Sequence, residues 1–285
     1  MKDNLTGVTI KRNNFYIDGK KEQLAGNHTW NTVQAINGER IGMNKITGNF
    51  TRLWTIETGG ANFAASPWGS NTPGVVKIKN LPWKDDGTGD LNPAYYNALE
   101  RSVRAADKLG ITVGVCLFEG AIVPYFPKGG DSWRLHPFNG IKDGPKDPSQ
   151  VHSKGPWNKY QRAHVKEVTS RLEKYDNVIY EVGNELNRVS TKWFQGKVIE
   201  WVKGYTDKPV GASYATGMKP SKGRSQDWLT KIDADWIAPS GPDKLPGFKG
   251  PQILDTDHAW ALRSNVAGLR DAWDDGRSVW VMDGF

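Results

Sequence analysis

Short apolar runs rich in β-branched and aromatic residues alternate along this chain with longer stretches whose apolar positions recur at helical spacing. Eight such runs follow in order: NHTWNT (27–32), NFTRLW (49–54), ITVGVCLF (111–118), NVIYEV (177–182), PVGASY (209–214), DWIAPS (235–240), QILDTD (252–257) and SVWVMD (278–283). Between the second and third lies NPAYYNALERSVRAADKLG, a helix with Asn92 as its cap, Pro93 at its first position and Gly110 at its end. WNKYQRAHVKEVTSRLEKY before the fourth run and TKWFQGKVIEWVKGY after it carry the same spacing. Helices that return the chain to start another strand on the same side make a parallel sheet. Eight strands of this kind predict an α/β fold, a (β/α)8 TIM barrel.

Ahead of the first strand, VTIKRNNFYIDGKKEQLAG reads as a short hairpin turning at Asp18 and Gly19, so residues 1–26 are expected to plug the bottom of the barrel. Two residues follow the eighth run, and the barrel is expected to lack its last helix. The 285 residues suit one domain, since a barrel of this type commonly takes about 250. The segments 55–91 and 119–155 are long and rich in Gly, Pro, Trp and Asn. In a parallel barrel such βα loops form the functional face.

Composition narrows the picture. Hydrophobic residues at 37% and charged residues at 24% exclude a disordered or fibrous chain. Thirteen Trp supply flat rings that stack on sugar or base faces. A net charge of +7 permits an acidic partner, but Lys and Arg are scattered and no nucleic-acid motif is present, so no nucleic-acid partner is expected. Cys116, the single cysteine, excludes an intramolecular disulfide and a cysteine metal cage, and it reads as a small buried hydrophobe. MKDNLTGVTI lacks the apolar segment of a secretory signal, and no stretch approaches the roughly 18 apolar residues of a membrane span. The expectation is a chain without membrane contact, cytoplasmic or released by a non-classical route.

Function in such a barrel sits where the strands end. Those ends supply His28, Arg52, Glu57, Glu119, Asn184, Glu185, Tyr214, Asp255, Asp257, His258 and Asp283. Carboxylates dominate. Two of them facing each other across a pocket are what glycoside hydrolysis needs, one to protonate the leaving oxygen and one to attack the sugar or activate water.

The Asn-Glu pair after the fourth strand, with an Arg near the end of the second, resembles the clan A glycoside hydrolases, the (β/α)8 superfamily that includes the cellulase-like family 5. A closer resemblance is to cellulase-like hydrolases related to the apiosidase-like catalytic domains. It is carried by FYIDGKKEQLAGNHTWNTVQ, NFTRLWTIE, GITVGVCLFEG, HPFNGI, DNVIYEVGNEL, DWIAPS and DTDHAW, in order over nearly the whole chain. The resemblance implies a cofactor-free, metal-free glycosidase that cleaves a poly- or oligosaccharide with retention. It further implies that Glu185 is the acid/base, that Asn184 bonds the sugar 2-hydroxyl and that Arg52 orients the carboxylate of strand seven. The chain departs from that pattern at strand seven, where the clan presents a Glu and this sequence reads LDTDHAW. Asp255 and Asp257 share one face by period-two alternation, and Asp257, nearer the rim, is the expected second carboxylate with Asp255 as support or rival.

Around this pair, His28 and His258 are candidates to bond sugar hydroxyls or orient the carboxylates. Tyr214 and His136 are expected to touch substrate. Trp30, Trp54 and Trp260 flank strand ends as stacking platforms. Glu119 and Glu57 are reserve carboxylates, and Glu181, deeper on the Glu185 face, reads as a buried partner of Arg52. For Glu185 itself the plain alternative is a carboxylate capping a following helix. Two other functions compete. DTDH with His28 and His136 suggests a metal-dependent hydrolase, against which stands the absence of His-x-His or His-Glu-x-x-His spacing. An Asp at the strand-seven position suggests a barrel that binds glycan without turnover, indifferent to Glu185→Gln.

Overall fold

The computed structural model describes residues 7–36, 38–62, 75–120, 131–186, 192–214, 226–241, 243–256 and 266–282. Thirteen strands are formed among them. Three make an antiparallel meander: β1 (Val8–Lys11), β2 (Asn14–Ile17) and β3 (Lys20–Glu22). The turn at Asp18 and Gly19 forms as expected, with φ of 49° and 78°, the positive pair that a two-residue hairpin turn requires. The expected hairpin is corrected to three strands, because β3, KKE, is wholly exposed and shows no apolar alternation to read. Val8 and Phe15 join a buried cluster with Leu24, Phe50, Ile179, Trp236, Ile253 and Trp280. Val8 N donates to Asp176 O at 3.0 Å, just ahead of a barrel strand, so the meander lies at the end where strands begin.

The eight anticipated runs all form strands: β4 (Ala25–His28), β5 (Phe50–Trp54), β8 (Thr112–Cys116), β9 (Val178–Glu181), β10 (Val210–Ser213), β11 (Trp236–Ala238), β12 (Ile253–Asp255) and β13 (Ser278–Met282). Strands β5, β8, β9, β10 and β11 form one parallel sheet, and β12, β13 and β4 another. Parallel bridges Thr29↔Leu53 and Ile237↔Gln252 join the two sheets into a closed ring. Every residue of β5, β8, β9 and β10 is buried, as strands covered on both faces must be. The first strand lies two residues earlier than its run. Its register is set by β13, and side-chain bonds of Thr29 to Asn31 and Thr32 end it. A smaller hairpin, β6 (Gly60–Asn62) with β7 (Val75–Lys77), rises from the loop after β5.

Helices α1 (Pro93–Asp107), α2 (Asp131–Arg134), α3 (Asn158–Leu172), α4 (Lys192–Lys203) and α5 (Val266–Asp274) lie in the connections. Asn92 caps α1, its side chain accepting from Ala94 N at 3.1 Å. On the inside, alternation along β5 aims Phe50, Arg52 and Trp54 into the barrel in three successive layers. Two glycines make room for the lowest rings. A Cβ on Gly211 would lie 2.0 Å from the Trp236 ring, and one on Gly114 would lie 2.8 Å from Phe50. Above that apolar layer, at the level of Arg52, the interior becomes polar.

Candidate active site

Arg52 organises this polar layer. Its Nε and Nη2 each donate to Glu181 at 2.8 Å, its Nη1 donates to Asp255 Oδ2 at 2.9 Å and its Nη2 also reaches Asn184 Oδ1 at 3.2 Å. Strands two, four and seven of the barrel are thereby tied across its axis by one guanidinium. All of these side chains are buried, so the fork and the fixed charge that distinguish Arg from Lys are both needed. The guanidinium carbon also lies 4.9 Å from the centre of the Trp54 ring and 5.8 Å from that of Trp280.

Asp255 has donors on both oxygens, because His28 Nε2 lies 3.4 Å from Oδ1. Burial pushes the His28 imidazole below its ordinary range, outweighing the opposite pull of Asp255. The ring is therefore neutral at neutral pH, with its hydrogen on Nε2 toward Asp255. His28 stacks on Trp54 at 5.9 Å, and Trp30 stacks on the same ring at 5.3 Å. Trp54, expected as a sugar platform, is 1% exposed. The ring is packed among Arg52, His28 and Trp30, and the half-buried Trp30 is the member of the stack that reaches solvent.

Asn184 and Glu185 follow β9 on a turn laid over the end of β8. Asn184 N donates to Phe118 O at 2.9 Å and Gly120 N donates to Asn184 O at 2.7 Å, extending the strand pairing beyond both strands. Gly120 and Gly183 permit this approach: a Cβ on Gly120 would meet the Glu185 backbone at 2.7 Å, and one on Gly183 would meet Phe118 O at 2.7 Å. Glu185 has φ of +48°, the left-handed region that a Glu seldom enters. Strain of this kind costs on the order of 1–3 kcal/mol and persists where the surroundings impose it, commonly at functional sites. Its side chain is 4% exposed, at the ring of strand ends above Arg52.

Glu119 completes the arrangement. Its carboxylate accepts from Asn184 Nδ2 at 3.1 and 3.4 Å, so Asn184 is held through its oxygen by Arg52 and through its nitrogen by Glu119. Glu119 N donates to Glu57 Oε2 at 2.9 Å, and His152 Nε2 meets the same oxygen at 2.9 Å. His152 carries no signal in the sequence. It lies in a loop without periodicity, and no spacing motif links it to Glu57. Arg52 bonds Glu181 and Asp255 directly, and Glu57, Glu119 and Glu185 are buried as well.

Two further expected substrate contacts, His136 and Tyr214, are buried. His136 packs among Trp83, Trp133 and Phe138, and its Nδ1 accepts from Phe138 N at 3.0 Å. Burial, with the charge of His152 second, pushes it down to about 3. Tyr214, one residue past β10, is buried against Trp228 at 6.3 Å. Asp257, His258, Trp260 and Asp283 lie outside the described residues. Among the described residues no group of three or more His, Cys, Asp or Glu side chains is placed to hold a metal ion, and no helix is long and apolar enough to cross a membrane.

No family model matches the sequence, and no curated protein matches it. Solved structures do resemble the fold. A protein from Bacteroides vulgatus ATCC 8482 assigned to the glycoside hydrolases superposes with a TM-score of 0.64 at 13% identity over 99% of this chain. The chain spans 56% of that protein's length. An endo-1,4-β-mannanase from Rhizomucor miehei superposes at 0.56 and 13% identity, covering 97% of this chain and 90% of its own. Endo-glycoceramidase II from Rhodococcus sp. gives 0.54 at 14%, covering 92% and 73%. The chain has their (β/α)8 fold. At such identities the likeness is one of fold, and the chemistry has to be argued from the site.

Proposed function

We propose that the chain is a glycoside hydrolase acting on a poly- or oligosaccharide with Glu185 as general acid/base and Asp257 as the second carboxylate, with retention at the anomeric carbon. The observation that carries this reading is the left-handed Glu185 beside Asn184, held above a guanidinium that also binds Asp255 of the seventh barrel strand. A structural carboxylate has no need of a strained backbone at the mouth of a barrel. The shared fold with glycoside hydrolases adds support by analogy.

In this mechanism Glu185 gives its proton to the leaving glycosidic oxygen while Asp257 attacks the anomeric carbon, forming a glycosyl-enzyme ester. Glu185, now a carboxylate, then takes a proton from water as that water displaces Asp257. Asp255, both of whose oxygens already accept, serves as an anchor on the seventh strand, and Trp30 receives a sugar face. Asn184, fixed from both ends, is oriented toward the sugar 2-hydroxyl.

A polysaccharide digestion screen run in parallel on wild type, Glu185→Gln and Asp257→Asn tests this. The expected result is a glycan cleaved by wild type and by neither variant, with the product first released in the substrate's own anomeric form. Cleavage by Asp257→Asn at the wild-type rate would remove the two-carboxylate assignment.

A further inference from the structure

On the outer wall, the segment after β4 runs along α1, and the two enclose a cavity of about 350 Å3 lined by Thr32, Arg40, Met43, Arg101 and Ser102. Arg40 is anchored there by neutral acceptors alone. Its Nε and Nη2 donate to Thr32 O at 3.3 and 2.7 Å, and Nη2 donates to Ser102 Oγ at 3.1 Å. Ser102 is itself buried and bonded back to Ala98 O at 3.1 Å, so the acceptor is rigid. Arg101 stands one residue along the same helix. Among the described residues neither guanidinium forms an ion pair, whereas Arg171 and Lys174 on the neighbouring wall share Glu100. Burial, and after it the charge of Arg101, holds the Arg40 guanidinium below its ordinary range, and no carboxylate opposes that shift. Two like charges kept together at a cavity without a counter-charge repel each other, and with Nε and Nη2 of Arg40 bound to Thr32 and Ser102, its Nη1 and the Arg101 guanidinium are charged donors suited to the oxygens of an anion.

We propose that this cavity is an oxyanion site, taking a sulfate, phosphate or carboxylate group between Arg40 and Arg101. Its volume is at the lower end of small-molecule sites, enough for a free inorganic anion or for one acid-bearing sugar ring. The site is independent of the chemistry at the barrel mouth, and its test needs no turnover.

Wild type, Arg101→Gln, Arg101→Glu and Arg40→Gln are titrated at low ionic strength with inorganic phosphate, inorganic sulfate, trigalacturonic acid and neutral galactotriose. Heat of binding and the NMR signals of the two arginine Nε–H groups and the Ser102 amide are followed. Saturable binding of an anion is expected, weakened at least about tenfold in Arg101→Gln and abolished in Arg101→Glu, as loss of one charged hydrogen-bond donor implies. Inorganic anions binding as tightly as trigalacturonic acid identify a free-anion site. Tighter binding of the trisaccharide acid identifies an acidic glycan. Arg101 is exposed, so its variants keep the fold even if Arg40→Gln loosens the loop. The proposal is overturned if no anion saturates wild type, if both Arg101 variants bind as wild type does, or if galactotriose binds as well as its acidic counterpart.

Discussion

Gly120 lies directly against the backbone of Glu185: a side chain there would place its Cβ 2.7 Å from Glu185 O and 2.6 Å from Leu186 Cα. The carboxylate proposed to do the chemistry therefore takes its position from a residue that has no side chain, on the neighbouring strand's extension.

Gly120→Ala should push that turn off the end of β8. Overpacking of this kind costs about 1–3 kcal/mol, and turnover should fall by far more than that loss explains, because the acid moves with the turn. Urea midpoints and rates on one substrate check both. A Gly120→Ala protein with wild-type rate would show that the position of Glu185 is not set by this contact.

Arg52→Met should be among the most damaging single changes in the chain. It takes the guanidinium away from the buried Glu181 and Asp255, and removal of one partner from a buried ion pair costs about 3–5 kcal/mol. Adding Glu181→Gln and Asp255→Asn to that variant should restore part of the stability without restoring activity. Denaturant unfolding of the single and triple variants tests this, and a single variant within about 1 kcal/mol of wild type would contradict it.

Stability should fall as the solution is acidified below pH 6.5. His136 and His164 are pushed down to about 3 by burial, so between those limits the unfolded chain takes up protons that the folded one refuses. Each contributes a loss of about 1.4 kcal/mol per pH unit in that window, and none above pH 6.5. His28, shifted in the same direction, adds to the slope. Unfolding measured at pH 7.5, 6 and 5 should show the decline, and a flat or rising profile would refute it.

The barrel was legible because each strand is a run of apolar, largely β-branched or aromatic residues buried on both faces, between helices with their own period. Arg52 and Asp255 were legible for a related reason, since alternation along a strand places them on the inner face. Four features were not. The exposed strand KKE carries no apolar signal. Trp54 sits at a strand end, and sequence position does not reveal that Arg52 and Trp30 enclose its ring. His152 meets Glu57 across 95 residues of chain, a contact created by loop packing without any motif. The backbone of Glu185 belongs with these, since a positive φ at a Glu is imposed by the Phe118–Gly120 edge and not by its own preference.

Leaving-group dependence is the sharpest test of Glu185 as the proton donor. Wild type and Glu185→Gln are compared on two aryl glycosides of one sugar, one with a leaving phenol acidic enough to depart unprotonated and one with a weakly acidic phenol. Glu185→Gln should slow cleavage of the weakly acidic phenol by roughly 100-fold or more, the scale of a general acid's contribution, while formation of the glycosyl-enzyme from the acidic phenol stays near the wild-type rate. Equal slowing of both substrates, or of neither, would contradict it.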